Sequence, residues 1–191
     1  MTEPTAALTP SQTVGPYLSI GLLGGSIGSS LVPEDDWRAI RVRGRLLDGN
    51  GDPVPDGMVE IWQANAAGRY AHPKDARTNI ALEEGFLGFG RSGTTDDGWF
   101  EFVTVKPGRV PAPDGRLQAP HLVVLVFARG LLKQLVTRLY FPDENEANAD
   151  DPVLSELDEG ERETLVARPA EDGLRFDIRL QGDEQTTFFA V

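Results

Sequence analysis

Apolar and polar residues alternate in several short stretches of the chain, and this period of two is typical of β-strands with one buried face. Stretches rich in Gly, Asp and Asn separate them and predict tight turns. The pattern therefore predicts an all-β fold of the β-sandwich class. The predicted strands are 40–47, 58–64, 99–105, 121–128, 134–141, 174–180 and 186–191.

Turn residues indicate which neighbouring strands pair. Asp48-Gly49-Asn50-Gly51 predicts a hairpin that joins strands 40–47 and 58–64. The stretch His121 to Ala128 is so continuously apolar that we expect a central strand buried on both faces. After the turn that follows it, strand 134–141 is its expected hairpin partner.

The two ends of the chain differ in pattern. Residues 1–36 are rich in Pro, Gly, Ser and Thr and show neither period, which predicts an extended N-terminal arm that needs a surface to lie on. Residues 37–191 are predicted to form a single domain. Its last two strands, 174–180 and 186–191, are predicted to pair with each other. The one helix predicted covers 159–167. With 191 residues, the chain is long enough to fill one hydrophobic core.

The formal net charge of −12 excludes two classes of partner. A protein that binds nucleic acid or an anionic membrane needs a basic surface, and the sequence contains no basic stripe. Cysteine is absent, so disulfides and thiolate metal sites are excluded. The first residues lack the basic and apolar regions of a signal peptide, and no apolar run approaches membrane-spanning length. We therefore expect a cytoplasmic protein that contacts neither nucleic acid nor membrane.

Two common functional motifs, one for dinucleotide binding and one for hydrolysis, do not fit this sequence. Gly88, Gly90 and Gly93 match the spacing G-x-G-x-x-G, but no clear strand precedes them and no helix follows, so a dinucleotide site is rejected. Neither histidine accompanies a serine in a G-x-S-x-G turn, which disfavours a hydrolase.

The tyrosines and histidines raise the question of iron. Ferric iron binds phenolate and imidazole, since its charge outweighs the energy needed to deprotonate a phenol. Tyr70, His72 and His121 are candidates. No Asp or Glu accompanies them at metal-ligand spacing, however, and a histidine at the head of an apolar strand is more often structural. The residues by themselves therefore favour structural roles.

Six stretches of the sequence carry a specific resemblance to a known family. They are TPSQTVGPYLSIGL (9–22), DGNGDPVPDGMVEIWQANAAGRYAHP (48–73), FGRSGTTDDGWFEFVTVKPG (89–108), APHLVVLVFARGL (119–131), TRLYFPDE (137–144) and RFDIRLQGDEQTTFF (175–189). In this order they resemble the intradiol ring-cleavage dioxygenases, and most closely the α subunits of two-chain members that act on protocatechuate. The resemblance implies a β-sandwich of the intradiol dioxygenase type.

The resemblance also implies that this chain does not hold the iron. In the family, two tyrosines and two histidines bind ferric iron, and the histidines form a His-x-His pair on one strand face. The matching positions here are Tyr70, Val110, His121 and Val123, so valine replaces two ligands. Gln118 stands where the iron-binding subunit has an arginine. We therefore expect Tyr70 and His121 to be vestigial, and Fe(III) to be bound by a homologous β subunit.

A substrate-binding role is implied for residues elsewhere. Thr13, Gly15, Pro16 and Tyr17 match an arm that reaches the partner's active site, and Arg129 matches an arginine near the substrate. The expected substrates are protocatechuate and O2, the product is 3-carboxy-cis,cis-muconate, and the assembly is a higher hetero-oligomer of αβ units. Two alternatives stay open: a non-catalytic subunit that binds a small aromatic ligand, and a purely structural β-sandwich subunit.

Overall fold

The computed structural model of this protein describes residues 10–13, 15, 17–25 and 27–190, so Pro16 of the predicted arm contact lies outside the described residues. No helix in these ranges has the length and apolar character needed to cross a membrane. The regular elements, in chain order, are α1 (Tyr17–Leu22), β1 (Ala39–Leu47), β2 (Met58–Trp62), β3 (Phe89–Gly93), β4 (Trp99–Val105), β5 (His121–Phe127), β6 (Leu135–Tyr140), α2 (Asn145–Ala149), a 3-10 turn (Leu154–Glu156), α3 (Glu159–Glu163), β7 (Arg168–Ala170), β8 (Gly173–Arg175) and β9 (Ile178–Arg179).

The strands of the described chain form two sheets that share one core. One sheet has the order β4-β1-β8-β7, with β9 also paired to β1, and the other has the order β3-β2-β5-β6. Two sheets packed on one core confirm the predicted β-sandwich. Burying one large apolar side chain between them stabilises the fold by about 1.5–3 kcal/mol. Its core takes apolar side chains from both sheets, among them Val42, Leu46, Val59, Ile61, Phe100, Phe102, Leu122, Val124, Val126 and Leu139.

The predicted hairpin between the first two strands is wrong, because β1 and β2 belong to different sheets. The turn itself forms: the Asp48 carboxylate accepts hydrogen bonds from the backbone N–H groups of Asn50 and Asp52, both at 2.9 Å. It returns the chain only as far as Val54, whose N–H donates to the Leu46 carbonyl at 2.9 Å. Each strand has its own apolar face, and packing these faces across the core excludes a ladder between the two strands.

The predicted hairpin of β5 and β6 is confirmed, with His121 opposite Tyr140 and Val126 opposite Leu135. β5 lies inside its sheet, between β2 and β6. Only one of its faces is fully buried, which corrects the expectation of two buried faces. Val124 and its neighbours on the core face are at most 2% exposed, whereas Val123 on the other face is half-buried.

The last part of the chain differs from both predictions made for it. The helix α3 is shorter than 159–167, because the backbone of Leu165 and Ala167 bonds to Tyr140 at 2.8 and 3.0 Å and is not free to continue a helix. β8 and β9 pair in parallel with β1, and Phe189 forms an isolated bridge with Val136 of β6. In the described chain the predicted pairing of 174–180 with 186–191 forms no ladder, and it is limited to one place, where the Thr186 N–H donates to the Arg179 carbonyl at 3.0 Å.

The described part of the N-terminal arm is not uniformly extended, since it contains α1. Hydrogen bonds at several places hold it to the sandwich, among them one from the Arg91 guanidinium to the Leu22 carbonyl at 3.1 Å. Leu31 donates its N–H to the Val103 carbonyl at 2.8 Å, and Val103 donates to the Ser29 carbonyl at 3.0 Å. Further towards the N-terminus, the Thr13 hydroxyl accepts a hydrogen bond from the Gly130 N–H at 3.1 Å. The boundary placed between residues 36 and 37 stays a prediction.

A fully buried carboxylate, Asp151, fixes the start of β5 against the end of β6. It accepts hydrogen bonds from the backbone N–H groups of Ala119, Val153 and Leu154 at 2.7, 2.8 and 3.0 Å, and from the Tyr140 hydroxyl at 3.2 Å. Hydrogen bonds to a charged group contribute about 1.5–3 kcal/mol each, and buried donors left unbonded are destabilising.

We expect Asp151→Ala to lower the free energy of unfolding by about 3 kcal/mol or more, because several buried donors lose their acceptor. Denaturant unfolding measures this change. Asp150→Ala is the matched control, since Asp150 is the exposed neighbour and should change stability by less than about 0.5 kcal/mol. Equal stabilities for the two variants would contradict the anchoring role of Asp151.

Candidate functional site

The outer face of β5 organises the candidate site. His121 and Val123 lie two residues apart and therefore share this face. In the sheet register, Val123 is opposite Trp62 of β2 on one side and Arg138 of β6 on the other. Residues directly opposite each other in an antiparallel sheet project to the same face. Trp62, Val123 and Arg138 thus form a row across three strands.

A cavity of about 530 Å³ opens at the Trp62 end of this row. Tyr70, Val110 and Val123 line it together, and these are three of the four positions matched to iron ligands in the sequence. The fourth, His121, is not among the lining residues and is only 4% exposed. The remaining walls include Trp62, His72, Lys74, Arg77 and Pro111.

His121 is held by protein contacts. Its Nδ1 lies 2.8 Å from the Ala119 carbonyl oxygen, which can only accept, so Nδ1 carries the proton. The ring centroid lies 5.7 Å from that of Tyr140. Burial lowers the pKa of His121 to about 4, and the Arg138 guanidinium acts in the same direction. The imidazole is therefore neutral at physiological pH.

Tyr70 enters the cavity from the loop after β2. Its backbone N–H donates to the Asp75 carboxylate at 2.9 Å, and Asp75 in turn binds the Arg77 guanidinium. Burial raises the pKa of the Tyr70 phenol, and the Arg138 guanidinium offsets part of this rise. The phenol is therefore protonated at neutral pH, and its hydroxyl has no hydrogen-bond partner among the described residues.

Sequence reasoning missed Trp62 and Lys74 of the cavity wall. It also missed Arg138, which lies beside the cavity in the row of Val123. Arg138 Nη1 donates to Gln118 Oε1 at 2.7 Å and to the Tyr140 hydroxyl at 3.1 Å. Both acceptors are neutral, and no carboxylate of the described chain pairs with this guanidinium. The predicted hairpin could have located Arg138, because the pairing of β5 with β6 places Arg138 opposite Val123, on the outer face of the sheet. Gln118, which stands where the iron-binding subunit was expected to have an arginine, thus accepts a hydrogen bond from a different arginine, Arg138.

The other predicted residues gather at the far end of β5. Gly15 and Arg129 line a cleft of about 190 Å³ together with Asp56 of the loop before β2. Arg129 Nε lies 2.8 Å from Asp56 Oδ2, and its side chain is 75% exposed. The Thr13 bond to Gly130 brings the arm to the same place. Tyr17 is also exposed, at 77%, but is not among the residues that line the cleft.

The length of β5 separates the cleft from the cavity. The strand runs from His121 to Phe127, and at 3.2–3.4 Å per residue its ends lie roughly 20 Å apart. The structure therefore brings Thr13, Gly15 and Arg129 together in one place, and Tyr70, Val110 and Val123 in another.

Comparisons with known proteins identify the family. A family model described as a dioxygenase matches residues 32–182. The alpha chain of protocatechuate 3,4-dioxygenase from Burkholderia cepacia is 42% identical, over 98% of this chain and 99% of that protein. This chain belongs to the intradiol dioxygenase family. The recognition made from the six sequence stretches is therefore confirmed.

Further intradiol dioxygenase relatives agree in sequence and fold. The beta chain of protocatechuate 3,4-dioxygenase from Burkholderia cepacia is 38% identical over 77% of this chain and 66% of that protein. The dioxygenase domain of a carbohydrate-binding fusion protein from Streptomyces sp. SirexAA-E superposes with a TM-score of 0.56 at 26% identity, and the match covers 91% of this chain and 98% of that domain.

A ferric ion does not fit the residues that this intradiol dioxygenase chain places around the cavity. Val110 and Val123 have no donor atom, and of the four matched positions only Tyr70 and His121 keep one. Among the described residues, no three His, Cys, Asp or Glu side chains cluster as metal ligands. The cavity is walled mainly by apolar and aromatic groups.

The buried His121 predicts a specific pH dependence of stability. Its folded-state pKa, about 4, lies below the unfolded value of about 6.5, so the unfolded chain binds the proton more readily between these values. Stability is therefore lost as the pH falls from about 6.5 towards 4, and the loss between pH 7.5 and pH 5 is about 2 kcal/mol.

Denaturant unfolding at pH 7.5 and pH 5 tests this effect. His121→Gln should show a change with pH about 2 kcal/mol smaller than that of the unmodified protein. His72→Gln, the same substitution at the exposed histidine, serves as the control. If the two variants lose equal stability on acidification, His121 is not the group responsible.

Proposed function

We propose that this chain is the α subunit of a protocatechuate 3,4-dioxygenase and works with a β chain that carries the ferric iron. The complete enzyme would insert both atoms of O2 between the two hydroxylated ring carbons of protocatechuate, breaking the bond between them to give 3-carboxy-cis,cis-muconate. The observation that carries this proposal is the valine at two ligand positions in a chain that matches an alpha chain over 98% of its length.

In this proposal, Arg129 holds the ring carboxylate of the substrate. The guanidinium is exposed, and Asp56 is its only ion-pair partner among the described residues. An exposed pair of this kind contributes about 0.2–1 kcal/mol, whereas an arginine fork on a desolvated carboxylate forms charge-assisted hydrogen bonds worth about 1.5–3 kcal/mol. A substrate carboxylate can therefore displace Asp56 at little cost.

The arm is proposed to complete the substrate pocket of the partner chain. The Thr13 bond to Gly130 supports this role, because it ties the arm to the residue next to Arg129. Gly15, Pro16 and Tyr17 are proposed to take part in the same contact with the partner. Assembly into a higher hetero-oligomer of αβ units and a cytoplasmic location belong to the proposal as well.

Expression of the chain with and without a β partner tests whether the partner is needed for iron binding and activity. We expect the co-expressed complex to contain iron, to be coloured and to cleave protocatechuate. The chain alone should contain no stoichiometric iron and show no visible absorption band, because two of its four ligand positions are valine. An iron-loaded, coloured and active chain without a partner would overturn the proposal.

We expect Arg129→Ala in the complex to raise the KM for protocatechuate roughly ten- to a hundredfold, with a smaller effect on kcat, because the carboxylate loses a charge-assisted bond. Steady-state kinetics with O2 in excess measure the change. Arg116→Ala is the matched control, since Arg116 is also an exposed arginine paired with an aspartate, Asp114. An unchanged KM for Arg129→Ala would leave the chain a purely structural subunit.

A further inference from the structure

The cavity beside Val123 is complete within this chain. Its volume of about 530 Å³ lies within the range of about 300–1,000 Å³ common for small-molecule sites. The loss of two ligand side chains leaves space lined by Val110 and Val123 where polar groups would otherwise project. Such a cavity can accept a ligand without a metal.

Three rings shape the cavity for a flat ligand. Trp62 is 38% exposed, although it belongs to an inner strand of its sheet. Its ring centroid lies 6.1 Å from that of Tyr70, at 81°, and 5.5 Å from that of His72, at 57°. Aromatic rings prefer such edge-to-face and tilted contacts with further rings. With the two valines opposite, the walls favour a single aromatic ring.

The charges around the cavity favour an anion. Arg77 is neutralised by Asp75 at 2.5 Å. Lys74, at the exposed margin, and Arg138, in the row behind Val123, have no carboxylate partner in the described chain. Arg138 does not line the cavity, and its Nη1 donates to Gln118 and to the Tyr140 hydroxyl. It therefore acts on the cavity only through its positive field, which also offsets part of the rise that burial causes in the pKa of the Tyr70 phenol. This excess of cations stands out in a protein with a net charge of −12.

We propose that this cavity binds a single-ring aromatic carboxylate, with the ring against Trp62 and Val123 and the carboxylate held by the field of Lys74 and Arg138. The unpartnered hydroxyl of Tyr70 is available to bond a polar ring substituent. The site lies in this chain alone and does not rest on the proposed function, which concerns Arg129 at the other end of β5.

Calorimetric titration of the full chain, without a partner, with 4-hydroxybenzoate tests this inference, and neutral 4-hydroxybenzamide is the matched probe. We expect one molecule of 4-hydroxybenzoate per chain. Val123→Phe fills the cavity and should weaken binding of both probes at least tenfold. Lys74→Gln should weaken 4-hydroxybenzoate about threefold or more and leave 4-hydroxybenzamide unchanged, because only the first probe is charged.

Three controls separate this site from others. Lys133→Gln removes an exposed lysine elsewhere and should leave both affinities unchanged. Arg129→Ala should also leave them unchanged, since that residue lies in the distant cleft. Far-ultraviolet circular dichroism establishes that Val123→Phe is folded, and the exposed Lys74→Gln gives a second test that does not disturb packing.

The inference is overturned if 4-hydroxybenzoate does not bind at 10 mM, or if a folded Val123→Phe binds it as tightly as the unmodified chain does. It is also overturned if Arg129→Ala removes binding, because the ligand would then occupy the cleft. Equal effects of Lys74→Gln on both probes would overturn the assignment of an anionic ligand.

Discussion

Side chains of β5 alternate between two faces, and this alternation separates the residues that stabilise the fold from those that form the cavity. Leu122, Val124 and Val126 are at most 2% exposed and pack between the sheets. His121 and Val123 lie on the opposite face. A change of residue type at position 123 therefore alters the cavity without altering the core. For this reason an intradiol dioxygenase chain can lack a ligand atom at position 123 and still keep the sandwich.

Tyr70 and His121, the two matched positions that have a donor atom, are surrounded by contacts that need no metal. Asp75 binds both the Tyr70 backbone and Arg77, whose guanidinium holds the pKa of that carboxyl well below its usual range. The His121 ring donates to Ala119, and the N–H of Ala119 donates to Asp151. These bonds fix the loop after β2 and the start of β5. His121 is thus held through its side chain and Tyr70 through its backbone, in both cases without iron.

The sequence predicted strand positions better than strand partners, and the physical reason is the range of the signal. Alternation is a local property, and it located β4, β5 and β6 to within about two residues of each end. Partner choice depends on which apolar faces meet across the core, and no local pattern contains that information. The Asp48 turn illustrates this limit, since its chemistry was predicted correctly while the strand that follows it joined the other sheet.

The same distinction applies to the candidate sites. Tyr70, His121 and Val123 were recognised because motifs place them, but the motifs gave no account of Arg138, which reaches the site only through the register of β6 against β5.

The two ends of β5 differ in what a ligand needs in order to bind there, because they differ in their exposure to water. Arg129 is 75% exposed and faces outward, so any bond it forms stays weak until another surface excludes water from it. Val123 and Tyr70 already lie in a concave wall, where a ring can leave water without a second chain. The length of β5 keeps the two places roughly 20 Å apart, so that ligands at these places would not contact each other. The proposed contact with a partner's pocket and the proposed ligand of this chain therefore fall at opposite ends of β5.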